Sequence, residues 1–395
     1  MNKNTQSLRQ ELERLLSEDI ATAKRREQST FDELASPFNQ SLVLFGAGNL
    51  GRKTLRGLRS AGIEPLGFAD NNEAIWGKTV DGLPVFSPKE AAERFGNSAA
   101  FIMTIWRGEG TDTMAERCQP LLDLGCAKVL NFGVVFWKFP QAFLPHYSFD
   151  LPHKILEHSD EVMRAFELWE DDASRKEFVA QIRWRLTLDF DGLPRPVKHE
   201  IYFPDDLVNV SDEEVFVDCG AFDGDTMASF LKRRGVSFGK FIAFEADPSN
   251  FGKLRQYVST LPENLREKIA IHSMAVGARR EKVCFSATGT ESAAVGQGSL
   301  LIDCAPLDEI VAEAKPTWIK MDIEGSEPDA LEGARGIITS SLPVLAVCVY
   351  HQQDHVWRIP AFMHKLSNTY HLFLRPHLLE SWDLVCYAVP RERLK

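Results

Sequence analysis

The sequence has no long apolar run. No stretch approaches the ~20 consecutive apolar residues that span a bilayer, so no transmembrane segment is expected. Paired cysteine spacings are also missing. Cys118, Cys126, Cys219, Cys284, Cys304, Cys348 and Cys386 include no C-x-x-C, and seven is an odd number. This argues against a zinc site and a disulfide framework, and points to a reducing, cytoplasmic setting. Basic residues are not in excess: 45 Lys and Arg stand against 56 Asp and Glu, a formal net charge of -11. Such a surface repels phosphate backbones, so nucleic acid is not expected as a partner. The first twenty residues are polar and helical in pattern, without the apolar core of a signal peptide. No internal repeat or low-complexity tract is present.

What remains is ordinary globular composition, 44% hydrophobic and 26% charged, in 395 residues. That length exceeds what one core usually serves, so two or three domains are expected. Residues 1–40 read as charged amphipathic helices that pack on their neighbours or on a second copy in a homo-oligomer. From Ser41 to about residue 135, five short apolar runs alternate with helical patterns, which indicates a parallel sheet with helices on its faces. Residues 136–212 form a helical connector. Within it Val162, Phe166, Trp169, Phe178, Ile182 and Leu186 recur at helical spacing as a buried face. From residue 213 to the end, strand and helix alternate again. The last two strand-like runs are joined by a segment too short for a crossover helix, which predicts an antiparallel pair.

Each alternating region opens with a strand, a glycine loop and a helix. The first loop keeps the strict G-x-G-x-x-G at Gly46, Gly48 and Gly51, and Asp70 ends the next strand 19 residues after Gly51. By fingerprint this is the better dinucleotide site. The module, however, is about 95 residues long and lacks the six-strand double unit. It shows no Ser-Tyr-Lys or Cys-His arrangement for an NAD(P)-dependent oxidoreductase, which is the alternative reading, beside a non-catalytic binding protein.

The second loop, Asp218-Cys-Gly220-Ala221-Phe222-Asp223-Gly224-Asp225-Thr226, departs from the fingerprint. Phe222 and Asp225 stand at the second and third glycine positions. Its acids oppose a pyrophosphate and suit a cationic ligand, which favours S-adenosylmethionine over NAD. Glu245 ends the following strand 21 residues after Gly224, where an acid can accept ribose hydroxyls. Asp218, Glu245, Met274, Asp322 and His351 are expected together at the carboxyl ends of the strands.

These segments, VFVDCGAFDGDT, FEADPSN, AVG and WIKMDIEGSEPDALEGA, resemble in order and spacing the FkbM-type methyltransferase family, a branch of the class I S-adenosylmethionine fold. The resemblance covers roughly residues 200–390. It implies S-adenosyl-L-methionine as cofactor and methyl transfer, typically to a hydroxyl of a sugar, a glycan precursor in polysaccharide biosynthesis or another small molecule. It also implies that Asp218 and the loop from Gly220 to Thr226 hold the methionine part. Glu245, with Ala246 and Asp247, would hold the ribose, and Ser273, Met274 and Ala275 would lie by the adenine. The N-terminal module resembles a small Rossmann-like module that takes a nucleotide or nucleotide sugar, through Gly46, Gly48, Gly51 and Asp70. The expected fold is two Rossmann-type α/β domains joined by the connector, with a mostly parallel seven-stranded sheet in the second.

Transfer to a hydroxyl needs a base within hydrogen-bond reach. Asp322, Glu324 and His351 are the chosen catalytic candidates, the last for its residue-type pKa. Asp322 could instead contact the cofactor. Glu327, Asp354 and His355 are further options, with Glu327 read as a cap for the helix that follows it. The acids Asp322, Glu324 and Glu327 have no His beside them in sequence, so no metal site is expected. Three segments, Trp184–Pro204, Thr288–Gly298 and Arg375–Trp382, are read as lids.

Overall fold

Short, wholly apolar strands need a sheet covered by helices on both faces. The computed structural model describes residues 3–108, 110–290, 294–296 and 298–395, and forms two such sheets. The first holds β1 (Leu42–Phe45), β2 (Gly67–Ala69), β3 (Thr79–Val80), β4 (Leu83–Phe86), β5 (Ala100–Met103) and β6 (Lys128–Asn131), in the order β3-β4-β2-β1-β5-β6. All pairs are parallel except β3 with β4. β3 is a two-residue edge strand that the five apolar runs of the sequence do not reveal.

In the second half lie β7 (Val215–Cys219), β8 (Lys240–Phe244), β9 (Ile269–His272), β10 (Ala275–Val276), β11 (Glu281–Ser286), β12 (Ala294–Val295), β13 (Leu300–Ala305), β14 (Trp318–Met321), β15 (Val344–Cys348), β16 (Tyr370–Pro376) and β17 (Leu384–Pro390). The large sheet runs β16-β17-β15-β14-β7-β8-β9. Its β15–β17 and β16–β17 pairs are antiparallel. One sequence reading is corrected. The run Ile269–Ala275 looks like a single strand, but it divides at Ser273-Met274: β9 stays in the large sheet, while β10 joins β13, β11 and β12 in a small four-stranded sheet. The break leaves Met274 outside both sheets. The expectation of a mixed α/β fold thus holds.

Two hydrophobic cores lie under the two large sheets. Leu42, Phe101, Phe132 and Trp184 are in the first, and Phe216, Trp318, Leu345 and Tyr387 in the second. The helix Asp172–Thr187 serves both. Its Phe178, Ile182 and Leu186 enter the second core, while Trp184 enters the first. The helix is buried on both sides although it carries Glu177, Gln181 and Arg185, which are buried with it and hydrogen-bonded in a chain. The six connector residues that share a face in the sequence are all buried in the second core. The helices Lys3–Leu16 and Ile20–Ala35 pack on their own chain: Leu12 and Ala23 reach the second core, Phe31 and Ala35 the first.

The halves are also stitched directly. Trp106 Nε1 donates to Glu380 O at 3.1 Å, and the buried Arg117 and Glu380 form an ion pair across the seam. Among the described residues, no helix is long and apolar enough to cross a membrane.

Candidate functional site

The carboxyl ends of parallel strands leave a crevice where their loops part to opposite faces. In this chain both sheets turn that end toward one cavity of about 730 Å³, within the range of small-molecule and cofactor sites. The second half contributes Gly220, Phe222, Asp225, Thr226, Glu245, Ala246, Met274, Ala275, Asp322 and Glu324 to its lining, and the first half adds Asn49, Trp106, Arg107 and Tyr147. Segments read as lids from the sequence contribute to the lining as well: Ile201 and Tyr202 from one, Leu378 and Trp382 from another. Of Thr288–Gly298, Gly289, Thr290 and Val295 line the cavity, whereas residues 291–293 and 297 lie outside the described residues.

The glycine loop follows from close backbone packing. Gly220 has φ 86°, and a Cβ there would stand 1.9 Å from Asp322 O, so only glycine lets β7 and β14 release their loops side by side. Phe222 adopts φ 47° without being glycine, a local strain of the kind that gathers at sites. Glu245 pins this turn. Its Oε2 accepts from Phe222 N at 2.8 Å and its Oε1 from Asp247 N at 2.7 Å. Burial pushes its pKa up, against those two amides. Each oxygen retains a lone pair, and Glu245 lines the cavity.

Five predicted cofactor residues lie outside the cavity lining: Asp218, Ala221, Gly224, Asp247 and Ser273. Asp218 does not line the cavity. It is wholly buried 2.9 Å from Lys320 Nζ, which also donates to Gly220 O at 2.6 Å. Burial alone would discharge Lys320, but Asp218, Asp322 and Asp225 raise its pKa and keep it charged. Asp247 caps a helix through Ser249 N and Asn250 N, and its other oxygen accepts from Gly289 N at 2.9 Å. It therefore tethers the loop over the cavity. Ala221 and Ser273 are absent from the lining, and Ala221 is fully buried. The charged residues that do line the cavity are Asp225, Glu245, Asp322, Glu324 and Asp383, with Lys320 and Arg107.

Asp322 and Glu324 face the cavity, but His351 lies behind them. Tyr202 donates to Asp322 Oδ2 at 2.7 Å and Tyr350 to Oδ1 at 3.4 Å. The His351 ring is buried between acids. Nδ1 is 2.8 Å from Glu327 Oε1, and Nε2 is 3.3 Å from Asp322 Oδ1 and 3.8 Å from Glu324 Oε1. Burial lowers its pKa, yet Glu327, Asp322 and Glu324 outweigh this and raise it well above the ordinary value. Burial likewise pushes Asp322 up, while His351 and Lys320 hold it well below the carboxylate range.

Glu327 is not the simple cap read from the sequence. Its Oε1 accepts from Ile323 N at 2.9 Å, and His355 Nδ1 lies 3.5 Å from its Oε2. Asp322, Glu327 and His351 could ligate a metal ion by residue type, a grouping the sequence hides because His351 comes from the next strand end. In their geometry the two carboxylates face opposite nitrogens of one ring, as an imidazolium between two acids requires.

A protonated His351 has a measurable consequence. Nitrogen-15 spectra are expected to show both ring nitrogens protonated at about pH 7.5, above the ordinary His pKa of about 6.5. Its folded-state pKa is raised, so its stabilising contribution is complete below the unfolded value and disappears as pH rises through the folded one. A neutral ring at about pH 7.5 in the spectra would refute this.

Tyr202, Tyr350, Lys320, Trp382 and the first-half residues Trp106, Arg107 and Tyr147 were not singled out from sequence. Lys320 alone carries a local signal, a cation inside an apolar strand. The others depend on tertiary packing. In the first half, Gly46, Gly48, Gly51 and Asp70 gather at the ends of β1 and β2, where Asp70 Oδ2 accepts from Ala47 N at 2.7 Å.

With this geometry established, comparison with known proteins is informative. Residues 218–381 match the model of the methyltransferase FkbM domain. No curated protein matches the sequence. Among solved structures, the methyltransferase FkbM from Methylobacillus flagellatus KT superposes with a TM-score of 0.78 at 24% identity, covering 98% of this chain and 99% of that one. At that identity the likeness shows the fold. An rRNA methylase from Streptococcus thermophilus gives a TM-score of 0.27 at 16% identity, over 48% of this chain and 93% of that one, and carries no argument. Nothing in these comparisons supports the oxidoreductase alternative. Over residues 218–381, then, the chain is similar to the methyltransferase FkbM domain.

Proposed function

We propose that the protein is an S-adenosylmethionine-dependent O-methyltransferase acting on a hydroxyl of a sugar, glycan precursor or other small molecule. The observation that carries this reading is the shared cavity, where a glycine loop, a strand-end Glu245 and the cavity-facing Asp322 meet in a matched methyltransferase domain. The second half then corresponds to a class I methyltransferase fold.

The residues fit such a cofactor. Five lining acids against two cations favour a positively charged ligand. Glu245 has two oriented oxygens for a ribose, and Phe222, Ala246, Met274 and Val276 give an apolar surface beside it. When bound, the cofactor supplies a methyl group on a cationic sulfur. The chain's part is alignment and proton removal. Asp322 accepts a hydrogen bond from the acceptor hydroxyl and takes its proton. Tyr202, Tyr350 and His351 hold that carboxylate ionised and oriented. His351 is a positioning residue, because it stands behind the acids, which raise its pKa and favour its charged form. Glu324 is the second acid beside the acceptor, and the aromatic wall of Trp106, Tyr147 and Trp382 excludes water.

Titration of the whole chain with S-adenosylhomocysteine, followed by labelled methyl transfer to a panel of glycans and nucleotide sugars, tests the reading. Absence of both binding and transfer would sink it. Glu245→Gln keeps the side-chain shape but loses the charge. It is expected to weaken S-adenosylhomocysteine by about 1.5–3 kcal/mol, roughly ten- to a hundredfold. Unchanged affinity in calorimetry would remove Glu245 from the ribose site.

A further inference from the structure

The strict glycine fingerprint of the first half has no place in the reaction above. Two of its glycines are needed by the protein itself. Gly46 has φ 109° and a Cβ there would meet Ile105 at 2.6 Å, while a Cβ at Gly51 would stand 1.9 Å from Gly46 O. Gly48 differs. Its φ is -75°, which any residue adopts, and a Cβ would have nothing within 4 Å. It occupies the N-cap of the twelve-residue helix Asn49–Ser60 without a side-chain cap. Neither conformation nor packing requires glycine there. Glycine is an accepted N-cap, and here it also leaves the loop backbone open to a ligand that approaches closely.

The chemistry of that ligand follows from charge. The helix carries Arg52, Lys53, Arg56 and Arg59 and no acid, although acids are favoured in a first turn. Arg52 Nε donates to Ala47 O at 3.3 Å, which holds the guanidinium beside the loop. Among the described residues, no carboxylate lies within ion-pairing reach of the half-buried Lys53, and burial, with Arg56, pulls its pKa down to about 8. The loop of the second half opens instead on Asp223 and Asp225. One loop suits an anion and the other a cation.

The acid at the next strand end repeats an arrangement already described. Asp70 accepts from the loop amide of Ala47 and from Asn72 N, two residues on, just as Glu245 accepts from Phe222 N and Asp247 N. We propose that this loop is a second ligand site, which takes the diphosphate of a nucleoside diphosphate on the Gly48–Asn49 backbone and Arg52, with its ribose at Asp70. Asn49, Trp106 and Arg107 line the cavity that Asp322 faces. The group carried on the diphosphate therefore projects toward Asp322 and delivers the acceptor hydroxyl. This last step rests on the proposed methyl transfer, whereas the binding site does not.

The test is calorimetry on the whole chain with UDP, GDP, ADP and NAD⁺, each with and without S-adenosylhomocysteine. At least one mononucleotide is expected to saturate with a Kd below about 100 µM, with S-adenosylhomocysteine bound at the same time. Gly48→Asp separates ligand from fold. Asp is a favoured N-cap and its Cβ meets no protein atom, so the thermal midpoint should hold or rise, but its charge should weaken the nucleotide more than about tenfold. S-adenosylhomocysteine affinity reads the other loop and should not move. The proposal is overturned if no mononucleotide saturates, if Gly48→Asp leaves nucleotide affinity unchanged, or if S-adenosylhomocysteine displaces the nucleotide. NAD⁺ binding more than about tenfold tighter than ADP would overturn the acceptor-carrier role, since the carried group would then be nicotinamide riboside.

Discussion

Asp322→Asn is expected to lower the turnover number of methyl transfer by roughly 10²–10⁴-fold, the usual contribution of a positioned general base. The substitution keeps size and shape, and the amide oxygen can still accept from Tyr202. It removes the charge that faces His351 at 3.3 Å and the acceptor of the substrate proton. Because His351 and Lys320 hold Asp322 ionised far into acid, the wild-type turnover number at saturating cofactor should show no acidic limb from Asp322 above about pH 4, near the ordinary Asp pKa. S-adenosylhomocysteine affinity should change little, since the ribose acid is Glu245. A variant that keeps its turnover, or that loses cofactor binding in equal measure, would move the base to Glu324.

The site was legible in the sequence wherever chemistry sits at the end of an apolar run. Val215–Val217 into Asp218, Phe241–Phe244 into Glu245 and Trp318–Met321 into Asp322 are strands whose last residue must emerge at the carboxyl edge. Position alone does not say which way a side chain points. Asp218 turns beneath the sheet because β14 runs parallel beside β7, with Lys320 in register with Asp218. That pairing joins residues a hundred positions apart and leaves no local trace. Tyr202 comes from a proline-rich stretch without period, so nothing marked it as the donor to Asp322. The choice of His351 as base rested on its ordinary pKa, which Glu327 and Asp322 overturn in space. The fold was the easier part, because strand and helix periods are local. The shared cavity was not, because it arises from two sheets facing each other across the Arg117–Glu380 seam.

The same buried pair yields the largest effect on stability. Lys320→Met is expected to destabilise the fold by about 3–5 kcal/mol, the usual result of stranding one partner of a buried ion pair. Asp218 is wholly buried and Lys320 nearly so, and removing the ammonium leaves Asp218 without its ionic partner. Methionine fills much the same volume and can lie against the Tyr202 ring, over which Nζ now sits at 5.1 Å, so packing loss is small. The loss is therefore electrostatic, and its pH dependence has a definite sign. A stranded Asp218 has a raised folded-state pKa, so the variant binds more protons folded than unfolded and loses stability as pH rises. The urea midpoint of Lys320→Met should fall further below wild type at about pH 8 than at about pH 5. Adding Asp218→Leu removes the stranded charge and should recover at least half of the deficit, because an apolar pair of similar volume is often neutral or better. Recovery of stability without recovery of S-adenosylhomocysteine binding is the expected end point. Lys320 also holds Gly220 O at 2.6 Å, and no apolar side chain can replace that bond to the glycine loop. A double variant no more stable than Lys320→Met would mean that the pair contributes through packing and not through charge.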